Sequence, residues 1–249
     1  MQRYFVNAGS ENDRYLIQGE DFHHITRVMR MKASDQIVCV TNDGKSAECI
    51  IEEITDEKVV AKVVKWEEGS TELPIKVSIA SGLPKGDKLE WIIQKGTELG
   101  ATEFVPFLAA RSIVKWDDKK AEKKVDRWQK IAKEAAEQSY RNMVPNVISP
   151  LDLKTLLQKA DDYDVKLIAY EEEAKLGEGA VLAKTLHELR LGQSLLVVFG
   201  PEGGLDTKEI AILKEHGFIA CGLGPRILRT ETAPLYLLSA VSYHLELLR

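Results

Sequence analysis

Ser194-Leu195-Leu196-Val197-Val198-Phe199-Gly200-Pro201-Glu202-Gly203-Gly204 decides the fold class. Its first six residues form an apolar run of the length and composition of a strand buried on both faces. Three glycines and a proline then stop it. Asp206 and Glu209 follow at the spacing of a capping box, so a helix is predicted from Thr207 to His216, closed by Gly217. Strand, glycine loop and helix in succession are the unit of a parallel sheet covered by helices.

The same rhythm extends in both directions. Toward the C-terminus, Phe218–Leu223 reads as a strand and Ala233–Leu248 as a helix. Between them lies Leu223-Gly224-Pro225-Arg226-Ile227-Leu228-Arg229-Thr230-Glu231-Thr232. Toward the N-terminus, strands are predicted at Ile75–Ala80, Glu103–Phe107 and Lys166–Tyr170. Helices are predicted at Asp87–Leu99, Lys119–Tyr140, Leu151–Gln158 and Gly179–Leu189. The last helix is apolar nearly all round, with Leu235, Leu237, Leu238, Ala240, Val241, Leu245, Leu247 and Leu248. Such a helix is central to a core or buried at a subunit interface.

The rhythm stops at Glu67-Glu68-Gly69-Ser70-Thr71-Glu72-Leu73-Pro74, a polar stretch read as a linker. A boundary is placed there, giving a domain of residues 1–72 and another of residues 73–249. The first reads mostly as β, with strands at Gln36–Thr41, Ser46–Ile54 and Lys58–Trp66 and a helix near Glu20–Arg30. Asn42-Asp43-Gly44-Lys45 is a hairpin signal, because Asp-Gly tolerates the positive φ of a tight turn.

The chain of 249 residues has a hydrophobic fraction of 44% and a charged fraction of 29%, ordinary for a globular protein. No apolar run reaches the roughly 20 residues of a membrane span, and no signal peptide is apparent. A cytoplasmic location and no membrane partner are expected. Cys39, Cys49 and Cys221 have no metal-ligand spacing, and no H-E-x-x-H occurs, so no metal is expected. The net charge of −5 is uneven: Arg111–Arg141 holds 10 basic and 6 acidic residues, Asp161–Glu188 8 acidic and 3 basic. P-loop, Rossmann G-x-G-x-x-G and G-x-S-x-G signatures are absent. Gly82-Leu83-Pro84-Lys85-Gly86-Asp87-Lys88 could cradle phosphate but lacks a full motif.

Each glycine loop follows a predicted strand, where open α/β sheets bind ligands. Glycine lets backbone approach a ligand, and a helix start offers N–H donors. The arginines of the second loop offer fixed forks of donors to an oxyanion.

Together the two loops resemble the cofactor-site signature of the SPOUT methyltransferases. More narrowly they resemble the RsmE family, which methylates N3 of a uridine in 16S ribosomal RNA. Arg3-Tyr4-Phe5, His24 through Arg30, Gln94-Lys95-Gly96-Thr97-Glu98-Leu99-Gly100, and Glu137-Gln138-Ser139 with Arg141 are similar to family patterns as well.

The resemblance implies an α/β fold: a C-terminal SPOUT-type domain with a trefoil knot, and a small N-terminal PUA-like β-barrel for RNA. It implies S-adenosyl-L-methionine as cofactor, held by Phe199, Gly200, Pro201, Glu202, Gly203, Gly204, Leu223, Gly224, Ile227, Leu228 and Thr230. It implies small-subunit ribosomal RNA as partner and a homodimer; a modest basic patch on an acidic chain points to the assembled subunit as the substrate. Proton loss from the uracil N–H would need help, since its acidity lies near the range of about 10 of an unperturbed tyrosine. Glu231 is the candidate base, with Arg229 or Arg226 stabilising the charge; Glu231 equally suits a helix start. Arg3, Arg27, Arg30, Lys32 and Arg141 are the candidate RNA contacts. A SPOUT enzyme acting on tRNA or a ribose hydroxyl, and a non-catalytic RNA-binding protein, are the competing readings.

Overall fold

The computed structural model describes residues 1–7, 13–112, 118–170 and 180–248. Gly179 and parts of the basic and acidic stretches, 113–117 and 171–179, lie outside the described residues. The chain divides into two compact units. One comprises Met1–Glu72 with Ala136–Met143, the other Leu73–Ala135 with Val144–Arg249.

In the first unit, strands β1 (Gln2–Val6), β2 (Arg14–Ile17), β3 (Gln36–Thr41), β4 (Ser46–Ile54) and β5 (Val59–Trp66) form one sheet in the order β1-β3-β4-β5-β2. β1 and β3 are parallel and the other pairs antiparallel. The register of β4 on β5 shifts at Glu48/Cys49 and at Ile51/Glu53. Such bulges add twist, and the sheet curls into a half-barrel. Helix α1 (Gly19–His23) runs into a wider turn, His24–Val28, and drives Phe22 and Ile25 into the barrel interior. Gly44 takes φ +80° in the β3–β4 hairpin, as its Asp-Gly signal predicts. Cys39 and Cys49 are buried core thiols.

The stretch read as a linker is held fast within this unit. Arg141, 2% exposed, grips the Glu72 carboxylate through Nε and Nη2. The backbone N–H of Asn142 donates to the same carboxylate at 2.8 Å, and the Thr71 hydroxyl donates to the Asn142 side chain at 3.0 Å. Arg3, 5% exposed, donates to the Arg141 carbonyl at 3.0 Å and to Glu67 at 3.1 Å. Arg3 and Arg141, both candidate RNA contacts, are thus buried with their guanidinium groups against Glu67 and Glu72.

In the second unit, β6 (Lys76–Gly82), β7 (Glu103–Phe107), β8 (Asn146–Val147), β9 (Val165–Ala169), β10 (Ser194–Phe199) and β11 (Ile219–Cys221) form a wholly parallel sheet. Its order is β11-β9-β10-β6-β7-β8. Around it lie α2 (Lys88–Glu98), α4 (Leu153–Ala160), α5 (Ala180–Glu188), α6 (Thr207–Glu215) and α7 (Ala233–Ser242); α3 (Asp118–Gln138) belongs to this unit up to Ala135 and its last residues to the first. Alternate strand residues feed two cores. Val77, Ile79, Leu195, Val197 and Phe199 pack with α2, α5 and α7. Ala80, Val105, Ile168, Leu196 and Val198 pack with α4 and α6. Both faces are covered, which is why these strands read as unbroken apolar runs.

Helix α7 serves the first of the two purposes that its composition allowed. Leu237, Leu238 and Val241 enter the first of these cores. Tyr236 on the helix, and Tyr243 and Leu247 in the turn that extends it, stay 40%, 56% and 72% exposed. No helix among the described residues is long and apolar enough to cross a membrane, and no metal-ligating cluster occurs among them.

Removing one member of a buried ion pair strands its partner and costs about 3 kcal/mol or more. Arg141→Ala is expected to lower stability by that order in chemical denaturation. A pure phosphate contact would leave the midpoint unchanged.

Candidate active site

All six strands of the second unit point the same way, so their carboxyl ends share one edge. The connections after β6, β7, β10 and β11 meet at it, together with the end of β9. A cavity of about 590 Å³ opens between them.

The loop after β10 is compressed onto its own helix start. A Cβ at Gly200 would stand 2.8 Å from the Leu205 nitrogen, and one at Gly82 would stand 2.6 Å from Pro201 Cδ. Both positions require glycine because backbone and ring already occupy the space. Gly204 takes φ +69° and its N–H donates to the Pro201 carbonyl at 2.8 Å. Helix α6 then begins with the capping box read from the sequence: Asp206 accepts from Lys208 N, and Glu209 accepts from Asp206 N at 2.8 Å.

Glu209 does more than cap. Its second oxygen accepts from Ala110 N, in the connection after β7, at 2.7 Å. Arg111 follows, donating to the Gly203 carbonyl at 3.0 Å and to Asp206 at 3.3 Å. Glu202 binds the connection after β6: it accepts from Lys85 N at 3.1 Å and pairs with Lys88 Nζ at 2.9 Å. Lys88 also stands 3.5 Å from Glu231, in the loop after β11. The Thr230 hydroxyl closes the ring by donating to the Gly200 carbonyl at 2.8 Å.

The electrostatics follow from these contacts. Burial pushes the Glu202 carboxyl up, but Lys88 and the backbone donors together outweigh it and hold the group below its ordinary value. The hydrogen bond to Glu202 raises Lys88, with Glu231 adding to the effect. Asp206 is held low, first by the Lys208 N–H and then by Arg111.

The cavity brings together residues from both loops singled out in the sequence. Phe199, Gly200, Pro201, Glu202, Gly203 and Gly204 line it from one side, and Leu223, Gly224, Arg226, Ile227, Leu228, Arg229 and Thr230 from the other. Arg226 and Arg229 are exposed and form no ion pair among the described residues. Glu231 stands outside the lining, against Lys88. Arg27, Arg30 and Lys32 belong to the first unit, where all three are exposed.

Seven lining residues were not anticipated: Ala169, Leu205 and Ala233, and the more polar Lys88, Arg111, Tyr170 and Thr207. Lys88 ends the glycine-bearing stretch noted as a weak phosphate cradle. Tyr170 directly follows β9, the strand between β10 and β11.

Known proteins share this arrangement. The RNA methyltransferase domain family matches residues 71–242, and the RNA methyltransferase PUA domain family matches residues 17–64. The chain is 57% identical over 253 aligned positions to the ribosomal RNA small subunit methyltransferase E of Bacillus subtilis (strain 168), covering 100% of this chain and 99% of that one. It belongs to the ribosomal RNA small subunit methyltransferase E family. Another member, from Neisseria gonorrhoeae, has been solved bound to S-adenosyl methionine. That structure is 29% identical, covers 97% of each chain and superposes with a TM-score of 0.83. A further crystal structure, of a hypothetical protein 56% identical to this chain, covers 100% of both and gives 0.93. The family therefore joins a PUA unit to a SPOUT-type methyltransferase unit, and both are present here.

Two outcomes test this geometry. Thr230→Val removes one part-buried hydrogen bond, a loss of about 1 kcal/mol. The Gly204 amide, in the loop it tethers, is then expected to exchange with deuterium roughly fivefold faster. Glu202 has a folded value below 4.5. Its contribution is therefore whole above that pH and lost as pH falls through the lower value. Glu202→Gln should cost stability at neutral pH and flatten this part of the acid limb in unfolding curves.

Proposed function

We propose that this protein is an S-adenosylmethionine-dependent methyltransferase that methylates N3 of one uridine in 16S ribosomal RNA. The observation that carries the reading is the cavity walled by the two glycine loops, in a chain 57% identical along its whole length to a ribosomal RNA methyltransferase.

The lining suits the cofactor. A volume of about 590 Å³ falls within the roughly 300–1,000 Å³ of small-molecule sites. Gly82 and Gly200 let the backbone behind the cavity pack closer than any side chain would allow. Leu223, Ile227 and Leu228 offer apolar surface for an adenine ring, while backbone groups of the Gly200–Gly204 loop offer polar partners. Bound there, S-adenosylmethionine supplies an electrophilic methyl group on sulfur, whose neutral leaving group needs no acid. A trefoil knot through this region accords with the Thr230–Gly200 tie and with the family.

The protein's own task is to deprotonate the uracil. Exposed Arg226 and Arg229, unpaired among the described residues, are placed to balance negative charge on its O2 and O4. Glu231 is the proton acceptor in this scheme, with Lys88 orienting its carboxylate. The PUA unit binds the RNA, using Arg27, Arg30 and Lys32 for phosphate. Domain boundaries near residue 72 separate these tasks.

A net charge of −5 disfavours tight binding of naked RNA, which supports an assembled small subunit as substrate. Exposed Tyr236, Tyr243 and Leu247 at the chain's last helix and turn support a homodimer. Such an enzyme works in the cytoplasm, where ribosomes are made.

The test is methyl transfer from labelled S-adenosylmethionine to small subunits lacking their own modification, followed by nucleoside analysis. The expected product is 3-methyluridine; another methylated nucleoside overturns the target. Arg229→Ala is expected to lower kcat by about 10²–10³, the scale of one lost oxyanion donor, with cofactor affinity unchanged in calorimetry. An unaltered kcat removes Arg229 from the chemistry.

A further inference from the structure

The first unit contains a second cavity, of about 390 Å³, that the proposed transfer reaction leaves unused. Its composition is unusual. Three of the chain's four methionines, Met1, Met29 and Met31, line it, together with Tyr140. Methionine is polarizable and packs well against aromatic rings. The Tyr140 ring is half exposed, and the guanidinium of buried Arg3 lies 5.2 Å from its centroid. That contact backs the ring and leaves the remainder open as a platform.

Three glutamines, Gln2, Gln36 and Gln138, complete the lining. Gln2 and Gln36 start the neighbouring parallel strands β1 and β3. Each amide carries donors and an acceptor, and none of the three has a side-chain partner among the described residues. Flat apolar walls with neutral donors and acceptors at the edge match a nucleobase. They do not match a phosphate, which the Glu137 carboxylate in the same lining would repel.

Phosphates fit the rim instead. Arg30 lies between Met29 and Met31 in sequence, and Arg27 and Lys32 flank them; all three are exposed and form no ion pair among the described residues. Backbone strain marks the same place. Arg30 and Tyr140 have φ of +53° and +59°, a region that residues with side chains rarely adopt. Strain of this kind persists where surrounding structure enforces it, and it concentrates at binding sites.

We propose that this cavity binds one unstacked base of single-stranded RNA, with the base against Tyr140 and the methionines, its edge read by the glutamines, and flanking phosphates on Arg27, Arg30 and Lys32. The pocket lies wholly within the first unit, so it recognises RNA rather than performing transfer. It rests on the reading of the protein as an RNA methyltransferase and names the feature of the substrate that this unit takes.

Methionine-methyl NMR of the full chain reads the pocket directly, because only Met143 of the four methionines lies outside it. A short single-stranded RNA of mixed sequence is expected to shift the Met1, Met29 and Met31 methyl signals by ring current and to leave Met143 in place. Inorganic polyphosphate should not reproduce the shifts. Tyr140→Leu should abolish them and weaken RNA binding roughly five- to a hundredfold, the range of one lost base stack. Tyr140→Phe should retain binding, and Gln36→Ala, at an exposed position, should weaken it several-fold. Still methionine signals with RNA bound, shifts reproduced by polyphosphate, or unchanged affinity in Tyr140→Leu would overturn the pocket. Methyl transfer to small subunits is scored separately. Transfer with silent methionines overturns the pocket alone; base-induced shifts without transfer support the pocket and overturn only the ribosomal target.

Discussion

The hydroxyl of Thr230 donating to the carbonyl of Gly200 joins two loops that leave the sheet on different strands. β10 and β11 are not neighbours; β9 runs between them. The tie therefore has to pass over the end of β9, and that is why Tyr170 is found in the cavity wall. Without it, each loop would be an ordinary turn at the top of its strand. With it, the ends of three parallel strands become the floor of one cavity.

The remaining walls are set by carboxylates that bind backbone rather than ligand. Glu209 is buried and satisfied by the N–H groups of Ala110 and Asp206. Glu202 takes the N–H of Lys85 and the ammonium of Lys88. Each joins the loop after β10 to a connection from another strand. Glu202 is offset by Lys88, whereas Arg226 and Arg229 keep their charge for whatever enters. The cavity lining of a protein of net charge −5 is thus locally cationic, because Lys88, Arg111, Arg226 and Arg229 line it against one carboxylate, Glu202.

Much of this was readable from residue order, and what was readable shared a cause. β10 appears as an uninterrupted apolar run because the sheet is covered on both faces, and the capping box before α6 needs only residues three apart. Both signals are local. β8 comprises only Asn146–Val147, too short for any periodicity. Lys88 and Arg111 gain their places through contacts spanning about ninety residues or more, which no window of sequence contains. The polar stretch before Pro74 carries linker composition, yet Glu67, Thr71 and Glu72 are pinned by partners at Arg3 and Arg141–Asn142. Composition records what a segment can leave in water, not what finds it from elsewhere in the chain.

Arginine number is for the same reason a poor guide to nucleic-acid contact in the first unit. Arg3 and Arg141 belong to motifs similar to those of RNA enzymes, but burial at 5% and 2% beside Glu67 and Glu72 makes them struts. They act through what they hold. Arg141 anchors the segment that carries Tyr140, and Arg3 lies against the ring of that tyrosine. Positive charge buried for structure thus backs an aromatic surface, while uncommitted positive charge sits at Arg27, Arg30 and Lys32. The division leaves a chain with more acidic than basic residues with exposed cations next in sequence to the methionines that line the same cavity as that ring.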